Sequence, residues 1–181
     1  MKLSILICTI EKRKTLFEVL KAELDRQATK DVQILSKCDA CQMSIGEKRN
    51  WLLDHAKGEW LCYVDDDDWI DKDYISIILK ALETDPDCVQ MIGIMNTDGF
   101  SHKRFEHSIR HYSYFEQDNI FYRPPNHLNP MRSTIAKQFK FPETNHGEDT
   151  DWCMQVRNSG LLVTETRIDK PIYHYRYSSI K

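Results

Sequence analysis

The sequence predicts one α/β domain with a mainly parallel central sheet, helices on its faces and a small antiparallel portion. Three observations support this prediction. The first third of the chain alternates short β-rich runs with helical patterns. Those β-rich runs are almost continuously apolar, as expected for strands that are buried on both faces. A length of 181 residues corresponds to about one domain with its own core.

The first half of the chain, about residues 1–95, reads as repeated strand and helix patterns. Strands are predicted over residues 3–8, 32–36, 60–64 and 88–95, and helices over 14–27, 46–56 and 71–82. Asp71 is the predicted N-cap of the last of these helices. A β-α-β-α-β order with right-handed crossovers predicts parallel neighbours in the sheet.

The second half of the chain, about residues 96–181, differs from the first half in composition and periodicity. Residues 96–129 mix aromatic side chains with His, Arg and Lys and lack a helical period, so we expect antiparallel strands and loops. Helices are predicted over 133–139 and 148–159, with Gly160 at the C-terminal cap, and strands over 161–166 and 171–177. No repeat or Pro-, Gly- or Ser-rich linker divides the chain.

Charge and glycine spacing exclude several classes of function. The 25 basic residues are outnumbered by 28 acidic ones, so the balance does not favour nucleic acid as a partner. The six glycines lack the spacing of P-loop, dinucleotide-binding and nucleophile-elbow motifs. No run approaches the roughly 18 apolar residues of a membrane span, and no cleavage site follows the apolar start. We therefore expect no membrane span and a cytoplasmic location.

The six cysteines are scattered along the chain, which favours reduced thiols over a disulfide framework. Cys38 and Cys41 form a lone C-x-x-C pair. A zinc site needs a second ligand pair, so we interpret these two cysteines as packing residues.

Four consecutive aspartates, residues 65–68, directly follow the apolar run WLCYV. Adjacent carboxylates repel one another by about 1–4 kcal/mol per pair, so a compensating cation is expected nearby. Oxygen ligands favour Mg²⁺ or Mn²⁺, which commonly complete their coordination with substrate phosphates. In open α/β sheets ligands bind beyond the carboxyl ends of strands, where this turn lies. The alternative is a solvated acidic turn.

The stretch SIGEKRNWLLDHAKGEWLCYVDDDDW, residues 44–69, resembles the nucleotide-sugar half of inverting family 2 glycosyltransferases with the GT-A (Rossmann-like) fold. In that family a helix with an Arg-Asn pair leads through Ala-x-Gly-Glu to a strand that ends in a DxD motif. LSILICTIEKRKTL is similar to the first strand and loop, HLNPMRSTIAKQFKFPE to the acceptor-side segment, GEDTDW to the Glu-Asp motif and YHYRYSSIK to the terminal strand. These segments follow in the family's order and cover most of the chain.

The resemblance implies a set of residues that contact the nucleotide-sugar donor. These residues are Thr9, Glu11, Asp39, Arg49, Asp65 and Asp66. It also implies that Asp67 holds the metal on the diphosphate, with His174 as a further metal or diphosphate ligand. Alternatively, Arg49 is a solvated helix charge and His174 is structural. Around Asp39 the sequence SKCDAC replaces the family's usual Asp-Asp-Gly-Ser.

The resemblance further implies that Asp149, in the GEDTDW motif, is the catalytic base. A carboxylate on the face of the sugar opposite the leaving diphosphate would take the proton of the acceptor hydroxyl. Asp151 lies two residues further along the same predicted helix and would point elsewhere. The alternative is a solvated first helical turn, where the helix dipole favours acidic side chains.

A basic and aromatic stretch precedes this motif. Its members are Arg104, His107, Arg110, His111, Tyr112, Tyr114, Phe115 and Arg123. They could form a stacking platform for an acceptor sugar, or a β-layer with charged edges.

Together these features imply a metal-dependent, inverting glycosyltransferase with Mn²⁺ or Mg²⁺ as cofactor. Its substrates would be a nucleoside diphosphate sugar and a glycan or other hydroxyl acceptor. A catalytically silent nucleotide-sugar or glycan-binding module is the alternative. A nucleotidyltransferase is disfavoured because the turn TIEKRK has no glycine for close phosphate approach. At 181 residues the chain is short for this fold, so the acceptor is small or a partner completes the site.

Overall fold

The computed structural model describes residues 1–177, which form two six-stranded sheets and five α-helices. The strands are β1 Leu3–Ile10, β2 Val32–Asp39, β3 Trp60–Tyr63, β4 Trp69–Ile70, β5 Cys88–Val89, β6 Met91–Thr97, β7 Ser101–His107, β8 Phe115–Gln117, β9 Ile120–Arg123, β10 Met131–Arg132, β11 Glu165–Thr166 and β12 Tyr173–Tyr177. The helices are α1 Lys14–Gln27, α2 Ile45–His55, α3 Tyr74–Ala81, α4 Ser133–Ala136 and α5 Glu148–Asn158, with 3-10 turns at Glu11–Arg13 and Leu82–Thr84. Within this part of the chain no helix combines the length and the apolar character needed to cross a membrane.

The first sheet has the strand order β11-β5-β10-β3-β1-β2. Its centre is the predicted parallel unit, because β1 pairs in parallel with both β2 and β3. The second half of the chain contributes β10, which lies antiparallel between β3 and β5, and β11, which is parallel to β5. The predicted α/β class with a parallel centre is therefore confirmed.

Helices cover both faces of the first sheet, as predicted. Side chains alternate between the two faces of a strand, so Leu3, Ile5 and Ile7 of β1 belong to one apolar cluster and Leu6 to another. The first cluster includes residues of α1 and α3, and the second includes residues of α2 and α5. β1 is thereby buried on both sides and forms a fixed base for the loops at its carboxyl end.

The second sheet has the order β4-β12-β6-β7-β9-β8 and differs from the prediction in two respects. The predicted strand over 88–95 is split at Gln90, so that β5 belongs to the first sheet and β6 to the second. Gln90 is buried there, and its backbone N–H donates to the carbonyl of Thr166 in β11. In addition, β7 and β9 are parallel rather than antiparallel, because β8 forms its hairpin with β9 on the outer side.

Two predicted helix ends have different outcomes. Gly160 adopts a φ of +70° just after α5, which confirms the predicted glycine at the C-terminal end. The predicted N-cap Asp71 is wrong, because α3 begins at Tyr74 with Asp73 at the cap position. Asp71 instead accepts a hydrogen bond from the backbone N–H of Asp73 and so closes the turn before the helix.

All six cysteines are free thiols. Cys62, Cys88 and Cys153 are buried, in agreement with a packing role. The packing interpretation is wrong for Cys38 and Cys41, which are both exposed in and after the end of β2. Burial of a cysteine is indicated by an apolar run around it, and Cys38 and Cys41 lie outside such runs, next to Lys37, Asp39 and Gln42.

Gly46 lies where α2 meets the segment that precedes α5. A Cβ atom at this position would overlap the carbonyl oxygen of Pro142. We expect Gly46→Ala to lower the free energy of unfolding by about 1–3 kcal/mol, because the clash is with backbone that has to move. Chemical denaturation measures the change, and the control is Asp54→Ala, a substitution on the same helix that breaks an exposed ion pair with Lys140. That control should lose no more than about 1 kcal/mol, and an equal loss in the two variants would contradict the close-contact explanation.

Candidate active site

A cavity of about 440 Å³, here called the larger cavity, opens beyond the carboxyl ends of β1 and β3. Its lining includes Thr9 of β1, Lys48 and Arg49 of α2, Asp65, Asp66 and Asp67 after β3, and Tyr175 of β12. This edge is where open α/β sheets bind their ligands. Five of the predicted donor and metal residues, Thr9, Arg49, Asp65, Asp66 and Asp67, are therefore brought together.

Asp65 is the first of the four aspartates at residues 65–68, which are called the acidic turn. Its Oδ1 accepts a hydrogen bond from Nη2 of Arg49 at 3.0 Å, and its Oδ2 lies 3.3 Å from Nε2 of His127. Burial acts to raise the pKa of Asp65, but the charges and hydrogen bonds of Arg49 and His127 outweigh it and hold the pKa below its usual value. Asp65 is consequently ionised and held from two sides.

Asp68, the last of the four aspartates, is buried and joins the turn to β12. Its two oxygens accept hydrogen bonds from the hydroxyl of Tyr173 at 2.7 Å and the backbone N–H of Arg176 at 2.8 Å. The Tyr173 hydroxyl also accepts the backbone N–H of Asp65 at 3.2 Å. Burial, together with the charge of Asp65, raises the pKa of Asp68 well above its usual value. Asp68 thus holds the turn in place.

Asp66 and Asp67 share a single cation, Arg13 of the 3-10 turn after β1. Its Nη1 lies 2.8 Å from Oδ1 of Asp66 and 3.0 Å from Oδ2 of Asp67. Asp66 is only 3% exposed, and its Oδ2 has no hydrogen-bond partner. Burial raises the pKa of Asp67, and the charges of Asp65 and Asp66 raise it further against the opposing effect of Arg13.

Arg49 is a buried connection between the acidic turn and α5. Its Nε donates to Oε1 of Glu148 at 3.2 Å, and its guanidinium lies over the rings of Tyr63 and Phe141. The alternative of a solvated helix charge is therefore wrong, since the side chain is 6% exposed. Nη1 of Arg49 has no partner, and Arg49 lines the larger cavity.

A second cavity of about 90 Å³, the smaller cavity, adjoins the larger one and shares Asp65 and Tyr175 with it. Asp149, the predicted base, lines the smaller cavity from the first turn of α5. Its Oδ2 lies 3.7 Å from Nδ1 of His127. Asp151 is exposed and lines neither cavity, as expected for the helix geometry.

His127 connects the two predicted carboxylates and was missed by sequence reasoning. It is buried between Asp65 and Asp149, and its Nδ1 has no hydrogen-bond partner. His127 is the first residue of the segment HLNPMRSTIAKQFKFPE. That segment resembles the acceptor-side segment of the family, but the resemblance assigns no role to the histidine. A single histidine in a loop carries no spacing signal, and its partner Asp65 is 62 residues away.

Two predicted donor residues do not line the larger cavity. The side chain of Asp39 is held by Nζ of Lys48 at 2.8 Å and by the backbone N–H groups of Gln42 and Met43. It therefore shapes the loop after β2, from which Cys41 and Met43 reach the cavity. Glu11 is exposed on the 3-10 turn and does not line the cavity either.

The structure does not bring His174 and Asp67 together. Tyr173 and Tyr175 face the acidic turn and the two cavities, so the intervening His174 faces the other side of the second sheet. There it lines a separate cavity of about 280 Å³ with Trp69 and His102. Within residues 1–177 no three His, Cys, Asp or Glu side chains form a ready metal-binding group. A metal at the acidic turn would need ligands from its substrate.

The basic and aromatic stretch is divided between two environments. His107 and Arg123 line the smaller cavity. Tyr112, Tyr114 and Phe115 are exposed, and Phe115 stacks on Tyr122. The stretch therefore borders the smaller cavity and continues onto the surface.

Solved structures with the same arrangement of strands and helices place the chain in the GT-A fold class. The S. aureus TarS 1-349 structure in complex with UDP-GlcNAc matches with a TM-score of 0.73 at 17% identity, covering 100% of this chain and 60% of that one. TarS 1-349 in complex with UDP matches with a TM-score of 0.73 at 18% identity, covering 98% and 61%. The present chain thus spans about 60% of the length of these structures.

The sequence profile of glycosyl transferase family 2 matches residues 43–154, which is more than half of the chain. The chain therefore belongs to glycosyl transferase family 2. The matched range includes the acidic turn, His127 and Asp149. No curated protein sequence matches the chain.

Proposed function

We propose that this protein transfers a sugar from a nucleoside diphosphate sugar to an acceptor hydroxyl, with inversion and with Mn²⁺ or Mg²⁺. One observation carries the proposal: the acidic turn and Asp149 lie at two adjoining cavities that share Asp65. A donor in the larger cavity would have its sugar at this junction. Membership of glycosyl transferase family 2 supports the same reaction class.

The larger cavity suits a nucleoside diphosphate in volume and in polar groups. Its 440 Å³ falls within the range of small-molecule sites. Arg13, Lys48 and Arg49 supply positive charge for a diphosphate at its wall. The TarS structures in complex with UDP and UDP-GlcNAc make UDP-GlcNAc the first donor to test and UDP the first nucleotide for binding measurements.

The residues of the acidic turn fit a divalent metal held jointly with the substrate. Asp66 has a buried oxygen without a partner, and Asp67 lines the same cavity with a partly exposed carboxylate. Asp66 and Asp67 would hold the ion. Bound there, a metal would neutralise charge on the leaving diphosphate. His174 is left out of this metal proposal because it lies on the other side of the sheet.

Asp149 would act on the acceptor. In the proposed step the acceptor oxygen forms a bond to the anomeric carbon as the bond from that carbon to the diphosphate oxygen breaks. The hydroxyl proton passes to the Asp149 carboxylate, and the diphosphate leaves from the opposite face of the sugar, so the configuration inverts. His127, which lies between Asp65 and Asp149, would fix the positions of these two carboxylates relative to each other. The acceptor is a glycan or another hydroxyl compound that reaches the smaller cavity.

Turnover by the purified protein tests this function. The protein is incubated with UDP-GlcNAc and other nucleoside diphosphate sugars, a panel of hydroxyl acceptors and Mn²⁺, and released nucleoside diphosphate and glycosylated product are measured together. Transfer to any acceptor supports the proposal. Metal-dependent donor binding without transfer would favour the silent binding module instead.

Metal removal should have a large effect on donor binding. We expect excess EDTA to weaken UDP binding, and Asp67→Ala to weaken it and to remove its dependence on Mn²⁺, because the diphosphate then lacks its counter-ion. Calorimetric titration with UDP, with and without Mn²⁺, measures both effects. Asp169→Ala, an exposed acidic residue outside the three cavities, should behave like the parent. Unchanged turnover in excess EDTA would contradict the metal requirement.

A further inference from the structure

The four aspartates of the acidic turn have different partners. Asp65 is held by Arg49 and His127, and Asp68 by hydrogen bonds from β12. Among the residues that the structure describes, Arg13 is the one cation within 4.0 Å of Asp66 and Asp67. Asp66 and Asp67 therefore depend on a single guanidinium for compensation of their negative charge.

Arg13 is held far less firmly than Arg49. Its side chain is 46% exposed, compared with 6% for Arg49, which is enclosed by two aromatic rings. It extends from a three-residue 3-10 turn in which no residue is buried. Arg13 can therefore leave its carboxylates and return to water without exposing any apolar core.

The Asp66 carboxylate cannot leave in the same way. Asp66 is 3% exposed, and Arg13 contacts its Oδ1 while Oδ2 stays buried without a partner. A buried polar atom left unpaired is unfavourable because it has lost its hydrogen bonds to water without gaining others. One guanidinium thus satisfies Asp66 incompletely, and a cation that reaches both oxygens of Asp66 would satisfy it better.

We propose that the Arg13 guanidinium pairs with Asp66 and Asp67 in the free protein and competes with the divalent metal for these two carboxylates. When metal and nucleoside diphosphate bind together, Arg13 is displaced and turns to the diphosphate within the larger cavity. This inference rests on the proposed donor site. It makes metal binding depend on the nucleotide.

The dependence of metal binding on the nucleotide follows from the charges that Arg13 meets before and after the metal displaces it. Metal alone must displace Arg13 into solvent, so its apparent dissociation constant is raised by the inverse of the fraction of protein in which Arg13 is already away. A nucleoside diphosphate offers the displaced guanidinium new phosphate partners, which restores its ion pairs. Each ligand therefore strengthens the binding of the other by the same factor.

The test measures binding of Mn²⁺ by electron paramagnetic resonance, first without nucleotide and then with UDP. Arg13→Gln should bind Mn²⁺ alone at least about tenfold more tightly than the parent, as expected if Arg13 is away about a tenth of the time. With UDP present that advantage should shrink or reverse. Lys12→Gln, the same charge change at the neighbouring exposed position, should match the parent. Arg13→Lys, which keeps a cation, should lie between the parent and Arg13→Gln.

Three results would overturn the proposal. If Arg13→Gln binds Mn²⁺ no more tightly than the parent while both transfer sugar with Mn²⁺, the competition is wrong and the proposed function stands. If the parent binds UDP equally with and without Mn²⁺ and Arg13→Gln loses UDP, Arg13 replaces the metal rather than competing with it. If no variant retains Mn²⁺ even with UDP, the metal-dependent donor site fails together with the inference.

Discussion

Replacing Asp149 with asparagine should lower the rate of sugar transfer by at least about 10², while the affinity for the donor changes little. The substitution keeps the size of the side chain and removes the proton acceptor. Asp149 lines the smaller cavity, whereas the proposed donor cavity is the larger one, which Asp149 does not line. The loss should consequently appear in kcat, and calorimetric titration with UDP and Mn²⁺ should give the parent dissociation constant.

Asp151→Asn is the matched control for this prediction. Asp151 stands on the same turn of α5 with the same charge, but it is exposed and lines neither cavity. We expect it to transfer sugar at the parent rate. Parent activity in Asp149→Asn, or loss of activity in Asp151→Asn alone, would show that Asp149 is not the base.

The sequence predicted the elements whose signal is local. Continuously apolar runs identify β1 and β3, and β1 is buried by helices on both faces. The acidic turn was predicted at the carboxyl edge because it directly follows β3, and Asp65, Asp66 and Asp67 line the larger cavity there. Local order along the chain was sufficient for these features.

What the sequence could not predict depends on distant partners. Arg49 and Glu148 are 99 residues apart, and neither neighbourhood in the sequence indicates the pair. The second sheet was only partly predicted because its strands mix polar and aromatic residues, and pairing partners such as β7 and β9 are chosen by hairpin geometry. The position of His174 depends on which face of β12 turns towards the acidic turn, and Tyr173 and Tyr175 occupy that face.

Replacing Arg49 with methionine should lower the free energy of unfolding at neutral pH by about 3–5 kcal/mol. Methionine keeps much of the apolar length that packs on Tyr63 and Phe141 and removes the charge. Asp65 and the buried Glu148 then lose their common cation. Chemical denaturation measures the loss, and Lys21→Met, which breaks an exposed pair with Asp25, should cost no more than about 1 kcal/mol.

A second substitution separates charge from packing. Glu148→Gln added to Arg49→Met removes the charge of the buried carboxylate that Arg49→Met leaves without its cation, so the double variant should be more stable than Arg49→Met alone. Further loss in the double variant would mean that Glu148 contributes through a contact other than the ion pair.

Acidification provides an independent check of the same ion pair. Arg49 helps to hold the pKa of folded Asp65 below the value of about 3.9 expected in the unfolded chain. The stability from ionised Asp65 is therefore fully present above that value and is lost as the pH falls towards the folded pKa. Arg49→Met lacks much of this contribution, so the gap in unfolding free energy between parent and variant should narrow as the pH falls below about 4. A gap that stays constant would attribute the effect of Arg49 to its contacts with Tyr63 and Phe141, because packing of that kind does not titrate.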